Sequence, residues 1–405
     1  MSQQGQPISV ALVGIGGYGN RYVTTLLDAP PEQANKFRFV GAADPKPESC
    51  ERVAEIRARG VPIYPSFEAL YGAHPKIDLA MICTPLQLHA KHTCFALERG
   101  SHVLCEKPLC VTPEQIREMI DARQKAQKQV AIGYQWSFSN AIQDLKRDIL
   151  SGRLGKPKRL RTLVLWPRDE KYYHRNAWAG AKTDGRGEWV LDSPVNNACA
   201  HYLHNPLYVL GPRVDRSAQP TSLTAELYRA HAIQNYDTAA LRCRTSDGIE
   251  ILFLVSHATA ASRGPMFEYQ FEKASVHFTD KPGAAIVARF HDGAVTSYGS
   301  PNDGREAKVW RTIDLAARQS AETLCGIEAA SAHSQCVWAA QQSTPEIVEF
   351  PAPLVRVTGQ EPARKTAVDG LDAVLEECYD SWKLPSELGV SWSVRGREVP
   401  VDRAI

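Results

Sequence analysis

Hydrophobic and polar positions alternate along the first third of the chain in a repeating order of short apolar runs and longer amphipathic stretches. The apolar runs, rich in β-branched residues, predict strands at ISVALV, FRFVGAAD, IDLAMICTP, HVLCEKP and QVAIGY. The stretches between them predict helices, and one helix takes Thr112 as its N-cap and Pro113 in its first turn. Strands that alternate with helices predict an α/β domain with a doubly wound parallel sheet.

The pattern changes from about residue 220 onward. Alternating apolar and polar residues in YDTAALRCRTSDGIEILFLVSHAT predict two strands joined by a Ser-Asp-Gly turn, and later segments continue the alternation. This predicts a broad, mostly antiparallel sheet, with one face on helices and the other available for dimerisation. The segment CGIEAASAHSQCVWAAQQS predicts a closing helix, and apolar residues at helical spacing over 366–382 predict that the tail packs down.

The length of the chain indicates more than one domain. With 405 residues and about 100–200 residues in a usual domain, we predict a nucleotide-binding domain over 1–135. A substrate-binding and oligomerisation domain then covers 136–350, and a C-terminal extension covers 351–405. The ten cysteines show no close pairing, which gives no reason to expect a disulfide framework or a zinc site.

The charge balance narrows the class of partner. Lys and Arg total 47 against 45 acidic residues, so neither a nucleic acid nor a membrane surface is an expected partner. No stretch approaches the roughly 20 apolar residues that cross a bilayer. The start, MSQQGQP, lacks the pattern of a secretory signal. We therefore expect a cytoplasmic protein with a small-molecule ligand.

A glycine pattern lies at the first turn from strand to helix. Gly14, Gly16 and Gly19 form G-x-G-x-x-G, whose glycines permit a tight turn and a close approach of backbone to a pyrophosphate. Asp44 ends the next strand, where a carboxylate accepts hydrogen bonds from ribose hydroxyls and repels a 2′-phosphate. The pattern predicts NAD as the cofactor. NADP stays open because Lys46 can offset that repulsion, and Asp44 can also be a simple turn residue.

Four segments together resemble a known family. VALVGIGGYGNRY, GAADP, CTPLQLHAKHTCFALERGSHVLCEKPL and GRLGKPKRL are similar to the glucose-fructose oxidoreductase, inositol dehydrogenase and rhizopine-catabolism (Gfo/Idh/MocA) family. The resemblance implies an N-terminal Rossmann domain and a C-terminal α+β domain with a large, open, mostly antiparallel sheet. It also implies NAD(P)-dependent oxidation or reduction of sugars and polyols. Besides Gly14, Gly16, Gly19 and Asp44, it implies cofactor contacts at Ile15, Gly17, Tyr18, Thr84, Pro85, His89, Glu106 and Lys107.

Lys107 has a second implied role. By similarity it is the motif lysine that faces the reacting carbon beside the nicotinamide. Hydride removal from a secondary alcohol requires the hydroxyl proton to leave, and a positioned amine can take that proton or stabilise the alkoxide. The alternative reading of Lys107 is a solvated charge after a strand.

The segment DSPVNNACAHYLHNPLYVLG carries a second implied site. Aligning its final glycine, Gly211, with the family pattern puts His201 at the catalytic histidine, with Asn197 and His204 at positions where the family has aspartates. An amide retains hydrogen bonding but contributes no charge, so His201 is expected to be less basic unless another acid lies near. Two histidines three residues apart also suit a metal, but no third ligand is evident. We predict no metal, and His204 can instead be a core residue.

The segment between these motifs contains residue types that bind sugars. Tyr173, His174, Arg175 and Trp178 combine aromatic rings with hydrogen-bonding groups, and five basic residues between 168 and 186 also admit an acidic sugar or a phosphate. The alternative is a solvated loop. His257, at a strand end, is open between a structural role and contact with the substrate.

These observations predict an NAD-dependent enzyme that transfers hydride at one secondary hydroxyl of a carbohydrate, polyol or glycoside, with Lys107 and His201 handling the proton. An alternative keeps the hydride step transient, as in a redox-neutral glycosidase or epimerase with tightly bound NAD. A non-catalytic NAD-dependent sensor is a third possibility, and the presence of Lys107 argues against it. We expect a homodimer or homotetramer formed through the C-terminal sheet.

Overall fold

The computed structural model describes residues 6–318 and 323–402. The chain separates into two compact units. The first unit contains the residues up to 110, 114–138 and 304–330, and the second contains 111–113, 139–303 and the residues from 331 onward. Within the described residues, no helix is long and apolar enough to span a bilayer.

The secondary structure up to residue 132 alternates between strands and helices. Its elements are β1 (Ile8–Val13), α1 (Gly19–Leu27), α2 (Pro31–Ala34), β2 (Phe37–Ala43), α3 (Val53–Ala58), β3 (Ile63–Tyr64), α4 (Phe67–Ala73), β4 (Leu79–Ile82), α5 (His89–Glu98), β5 (His102–Cys105), α6 (Pro113–Ala126) and β6 (Val130–Ile132).

These six strands form one sheet in the order β3-β2-β1-β4-β5-β6, and every pair of neighbours is parallel. The strands β1, β4 and β5 are buried along their whole length, as expected for a sheet covered on both faces. The strand order reverses between β1 and β4, and ligands of such sheets bind at the carboxyl ends of the strands beside this point. The predicted doubly wound Rossmann sheet is confirmed.

The elements from residue 139 onward are mainly strands. They are α7 (Asn140–Leu150), β7 (Pro157–Leu165), α8 (Glu170–Tyr173), a π-helical turn (Pro194–Ala198), α9 (Ala200–Val209), β8 (Pro220–Arg229), β9 (Thr238–Thr245), β10 (Glu250–Ser256), β11 (Arg263–Phe271), β12 (Ala274–Thr279), β13 (Ile286–Phe290), β14 (Val295–Gly299), α10 (Ala307–Arg318), α11 (Ile327–Ser343), β15 (Val348–Glu349), β16 (Val355–Thr358), β17 (Lys365–Val368), α12 (Leu371–Ser381) and β18 (Glu398–Pro400).

The second unit contains a ten-stranded sheet in the order β14-β13-β12-β11-β7-β10-β9-β8-β15, with β18 also paired to β8. Among the described residues of this sheet, only the pairs β7–β10 and β8–β15 are parallel. The predicted hairpin is present as β9 and β10, which run antiparallel in register from Thr238–Ser256 to Arg244–Glu250. The prediction of a large, mostly antiparallel sheet is therefore confirmed.

Helix α12 covers the central strands on one face of this sheet. Leu163, Leu165, Leu252 and Leu254 occupy alternate positions of β7 and β10, so their side chains share a face, and they form one buried cluster with residues of α12. Arg161 and Arg242 fasten the end of the helix, because their guanidinium groups donate to the carbonyl oxygens of Asp380 and Trp382 at 3.0 Å. The predicted oligomer through this sheet remains a prediction, and it would have to avoid the strands under α12.

Helix α10 belongs to the first unit, although the sequence pattern assigned residues 136–350 to the second domain. The physical reason is the packing of one face of α10. Trp310 lies against Phe37 of β2, with ring centroids 6.3 Å apart, and Lys308 reaches a carboxylate at the end of β5. The chain thus returns to the Rossmann sheet after completing β14.

Candidate functional site

The glycine turn after β1 is tightly packed against its neighbours. Gly14 has a φ of +82°, and a Cβ atom there would lie 2.7 Å from the carbonyl oxygen of Cys83. A Cβ atom on Gly19 would lie 2.0 Å from the carbonyl oxygen of Gly14. Beside Gly17, by contrast, an added Cβ would meet no described atom within 4 Å. The turn therefore needs glycine for its own geometry and leaves open space at the start of α1, which fits the close approach of a pyrophosphate.

Asp44 ties the end of β2 to this turn. Its Oδ2 accepts hydrogen bonds from the backbone N–H groups of Ile15 at 2.9 Å and Gly16 at 3.3 Å, and its Oδ1 accepts from Lys46 N–H at 2.8 Å. The half-buried carboxylate is thus held beside the glycine turn. An acid held there suits the ribose hydroxyls of an adenine nucleotide.

We expect Asp44→Asn to reduce the preference for NADH over NADPH by about 10- to 100-fold, because a hydrogen bond to a charged group contributes about 1.5–3 kcal/mol. The asparagine oxygen can still accept from Ile15, so the turn should persist. Titrating cofactor fluorescence gives both dissociation constants. Glu48→Gln removes the same charge from an exposed side chain nearby and should leave the ratio unchanged. An unchanged ratio in Asp44→Asn would contradict the assignment.

His89 links two of the motif segments. Its Nδ1 lies 2.6 Å from the carbonyl oxygen of Pro108, and its Nε2 lies 3.0 Å from the carbonyl oxygen of Thr84. The ring is 1% exposed, and burial lowers the pKa of His89, although its contacts with the two carbonyl oxygens act in the opposite direction. His89 thus joins the segment after β4, which includes Pro85, to the segment after β5. Both ring nitrogens face protein carbonyls.

Glu106 ends β5 in a buried polar network. Its Oε1 accepts hydrogen bonds from the hydroxyl group of Tyr22 at 2.6 Å and from Nζ of Lys308. Its Oε2 accepts from the backbone N–H of Lys107 at 3.1 Å. Glu106 and Lys308 are 5% and 3% exposed, so the pair is a buried ion pair. It joins the start of α10 to the motif at the end of β5.

The network favours the charged forms of both partners. Burial alone raises the pKa of the Glu106 carboxyl group, but the charge of Lys308 and the hydrogen bonds from Lys308 and Tyr22 outweigh it, so the net pKa is lowered. Burial alone lowers the pKa of Lys308, and the charge of Glu106 outweighs it, so the net pKa is raised. Burial also raises the pKa of Tyr22 well above its ordinary value, which keeps its proton in place as a donor.

The backbone around Lys107 is fixed on both sides. Its N–H is held by Glu106, its peptide bond to Pro108 is cis, and the Pro108 carbonyl oxygen contacts His89. The lysine is half-buried and follows β5 at the carboxyl edge of the sheet, as the glycine turn follows β1 and Thr84 follows β4. The first unit therefore gathers the predicted cofactor residues and Lys107 at the edge where such sheets bind ligands.

In the second unit, Asp192 organises the predicted substrate residues. Its carboxylate accepts hydrogen bonds from Asn197 Nδ2 at 2.9 Å and from Gly180 N–H at 2.7 Å, and it lies 3.5 Å from the guanidinium group of Arg175. Asp192 is 2% exposed. A carboxylate from another position of the chain thus lies beside the amide of Asn197.

Aromatic rings lie beside Arg175, which contacts this acid. The Arg175 guanidinium carbon lies 3.8 Å from the ring centroid of Tyr172 and 5.3 Å from that of Trp178. The hydroxyl group of Tyr173 lies 3.2 Å from Nδ1 of His257. Tyr173 is buried, Trp178 is half-buried and His174 is exposed. The structure therefore brings Tyr173, Arg175 and Trp178 into one cluster and places His174 at the surface.

The two histidines of α9 differ in their surroundings. His201 is half-buried in the first turn of the helix, with its ring centroid 6.2 Å from that of Tyr202. His204 is 1% exposed and stacks on Tyr208 at 5.4 Å. Burial lowers the pKa of His204 well below its ordinary value, so it is neutral. His204 has the surroundings of a core residue, and its role in substrate binding remains a prediction.

Among residues 6–318 and 323–402, no three His, Cys, Asp or Glu side chains are arranged to hold a metal ion.

Two residues of the described site were not predicted. Lys308 lies on the buried face of α10 together with Val309, Thr312, Ile313 and Ala316, and a lysine on such an apolar stripe is a signal that sequence inspection can use. Asp192 precedes a proline-containing turn and gave no such signal.

Comparison with known proteins agrees with this geometry. Residues 8–134 match the model of an oxidoreductase family with an NAD-binding Rossmann fold, GFO_IDH_MocA. These residues are therefore an NAD-binding Rossmann domain. This part of the chain matches the family that its motifs resembled, and the match supports NAD as the predicted cofactor class.

Two relatives each match about a third of the chain. D-glucoside 3-dehydrogenase from Escherichia coli (strain K12) is 31% identical over 150 residues, which are 37% of this chain and 41% of that protein. A 1,5-anhydro-D-fructose reductase from Ensifer adhaerens is 32% identical over 135 residues, which are 33% of this chain and 39% of that protein. The chain thus spans about two fifths of the length of these relatives.

The likeness of fold extends further along the chain. The WlbA dehydrogenase from Bordetella pertussis, solved with NADH and UDP-GlcNAcA, superposes with a TM-score of 0.67 at 20% identity. The superposition covers 84% of this chain and 97% of that one. This similarity concerns the fold alone.

Proposed function

We propose that this protein is an NAD-dependent oxidoreductase that acts on a secondary hydroxyl group of a sugar, polyol or glycoside. The observation that carries the proposal is Lys107, a half-buried lysine fixed at the carboxyl edge of an NAD-binding Rossmann sheet. The names of the relatives, a glucoside dehydrogenase and an anhydrofructose reductase, support a carbohydrate as the substrate class.

The first unit supplies groups that fit the cofactor. The open space beside Gly17 and the start of α1 suit a pyrophosphate, and the carboxylate of Asp44 suits the adenosine ribose. NAD held by these residues would supply hydride transfer to or from the carbon that carries the substrate hydroxyl group.

Lys107 and His201 handle the proton in this proposal. During oxidation, Nζ of Lys107 takes the hydroxyl proton or stabilises the developing alkoxide, and during reduction it returns the proton to the carbonyl oxygen. His201 is the second proton-handling group, because an imidazole exchanges protons near neutral pH. Asp192 and Asn197 provide hydrogen-bonding groups for substrate hydroxyls in the second unit.

The redox-neutral alternative was motivated by the loss of carboxylates at positions 197 and 204. Because Asp192 supplies a carboxylate hydrogen-bonded to Asn197, that motive is weaker, and net oxidation or reduction is favoured. A sensor that only binds NAD would not need the fixed lysine.

The test is an assay of the purified protein with NAD and a panel of sugars, polyols and glycosides. We expect at least one compound to give reduced nicotinamide, followed by absorbance, with a ketone at a secondary carbon as product. Product formation without net reduction, together with cofactor that stays bound through purification, would instead identify the redox-neutral enzyme. Cofactor binding with no turnover on any compound would contradict both enzymatic readings.

A further inference from the structure

The backbone of Arg168 is held on both sides within the second unit. Its N–H donates to the carbonyl oxygen of His257 at 3.0 Å. Its own carbonyl oxygen lies 3.2 Å from Nε2 of His231, whose Nδ1 lies 2.8 Å from the carboxylate of Asp237. This segment follows β7 directly. The backbone that carries the Arg168 side chain is therefore held in place.

The guanidinium group of Arg168 lies near two aromatic rings and has no acidic partner in the part of the chain that the structure describes. Its central carbon lies 4.9 Å from the ring centroid of Tyr172 and 5.6 Å from that of Trp166. Among the described residues it forms no ion pair, and its Nε is buried without a hydrogen-bond acceptor. Arginine stays charged at every physiological pH and has five N–H donors. Arg168 is half-buried, and a buried donor without an acceptor in the chain is stabilised when a water molecule or a ligand supplies one.

A second unsatisfied group lies against the same ring. His257 is 1% exposed, and its ring centroid lies 5.4 Å from that of Tyr172. Its Nδ1 pairs with the hydroxyl group of Tyr173 at 3.2 Å, whereas its Nε2 is buried with no partner among the described residues. Burial first, and then the charge of Arg168, lower the pKa of His257 well below its ordinary value, so the ring is neutral.

We propose that the substrate carries an anionic group, a carboxylate or a phosphate, and that Arg168 binds this group beside Tyr172 and His257. The inference rests on the proposed function and names its substrate class as an anionic carbohydrate. Arginine offers a planar pair of donors that matches carboxylate and phosphate oxygens, and an anion also balances its charge. A neutral hydroxyl group would supply an acceptor but no charge.

Arg175 does not compete for this role, because its guanidinium group already lies 3.5 Å from the carboxylate of Asp192. Arg186 provides a matched control. It belongs to the same segment of basic residues, but it is exposed on the turn that follows Asp184. An exposed arginine is satisfied by water and needs no ligand.

The test compares wild type with Arg168→Ala, Arg168→Lys and Arg186→Ala. The probes are D-glucose, D-glucuronate and D-glucose 6-phosphate, together with the matched galactose series, assayed for reduction of NAD. Binding is also measured by calorimetry in the presence of NADH. We expect wild type to prefer one anionic member. Arg168→Ala should weaken that preference roughly 10- to 100-fold, Arg168→Lys should retain part of it, and Arg186→Ala should not change it.

Comparing the uronate probes with the sugar phosphate probes shows whether the anionic group is a carboxylate or a phosphate. Turnover of neutral sugars only, with equal values in wild type and Arg168→Ala, would overturn the anionic substrate and leave the proposed function intact. Binding of an anionic probe that depends on Arg168, without reduction of NAD by any probe, would support the anion site and count against the proposed function. If neither binding nor turnover depends on Arg168, the inference is wrong.

Discussion

Replacing Lys107 with alanine is expected to lower kcat for NAD-dependent turnover by about 10²- to 10⁴-fold, the usual contribution of one positioned acid–base group. The affinity for NADH should change little, because the glycine turn and Asp44 lie on other segments of the first unit. The backbone at residue 107 should also persist, since Glu106 and His89 hold the main chain and not the side chain. Steady-state kinetics and titration of cofactor fluorescence measure the two effects separately.

Two further variants sharpen this experiment. Lys107→Arg keeps a positive charge but cannot release a proton near neutral pH. Activity in this variant would show that Lys107 acts by stabilising the alkoxide charge, and loss of activity would show that it acts by proton transfer. Lys91→Ala removes an exposed lysine from α5 and serves as the control for loss of a lysine charge. A Lys107→Ala enzyme with wild-type kcat would refute the proposed role.

Lys308→Met is expected to destabilise the protein by about 3–5 kcal/mol, because it leaves the buried carboxylate of Glu106 without its partner. Methionine preserves most of the side-chain volume, so packing changes little. The measurement is the midpoint of urea unfolding followed by circular dichroism. The double variant Glu106→Gln with Lys308→Met removes both charges and should recover much of the loss, whereas equal loss in both variants would show that the charge pair is not the cause.

The pH dependence of this pair has a definite sign. The lowered pKa of Glu106 contributes stability that is present above its ordinary pKa of 4.5 and is lost as the pH falls through the folded value. The raised pKa of Lys308 contributes stability that is present below its ordinary pKa of 10.5 and is lost as the pH rises through the folded value. The contribution is therefore complete between these two ordinary values. Lys308→Met should show a weaker loss of stability in acid than wild type.

The Rossmann sheet could be predicted from the sequence because its strands carry their signal locally. The strands β1, β4 and β5 are continuous apolar runs bounded by glycine, proline or charged residues, and the alternation with helices fixes the parallel order. Strand β3 was missed since Ile63 and Tyr64 are its only two residues. Two residues are too few to show a period.

The site was predicted only where its residues belong to a contiguous motif. The glycine turn, Asp44 and Lys107 each lie in a short segment with a recognisable pattern. The partner of Glu106 lies 202 positions further along the chain, and no local pattern links a carboxylate to a lysine at that distance. Asp192 was missed for a similar reason, because its role depends on the fold of the turn that brings Asn197 and Arg175 to it.

The helix that shields β7 and β10 has a consequence for synthesis of the chain. Leu163, Leu165, Leu252 and Leu254 leave the ribosome well before Leu371 and Leu375, which cover them. At roughly 5–20 residues per second, the interval between β10 and α12 is on the order of 10 s. During that interval the hydrophobic face of the sheet is exposed to solvent. The nascent chain must then be bound by a chaperone, or it can aggregate with other chains until α12 is synthesised.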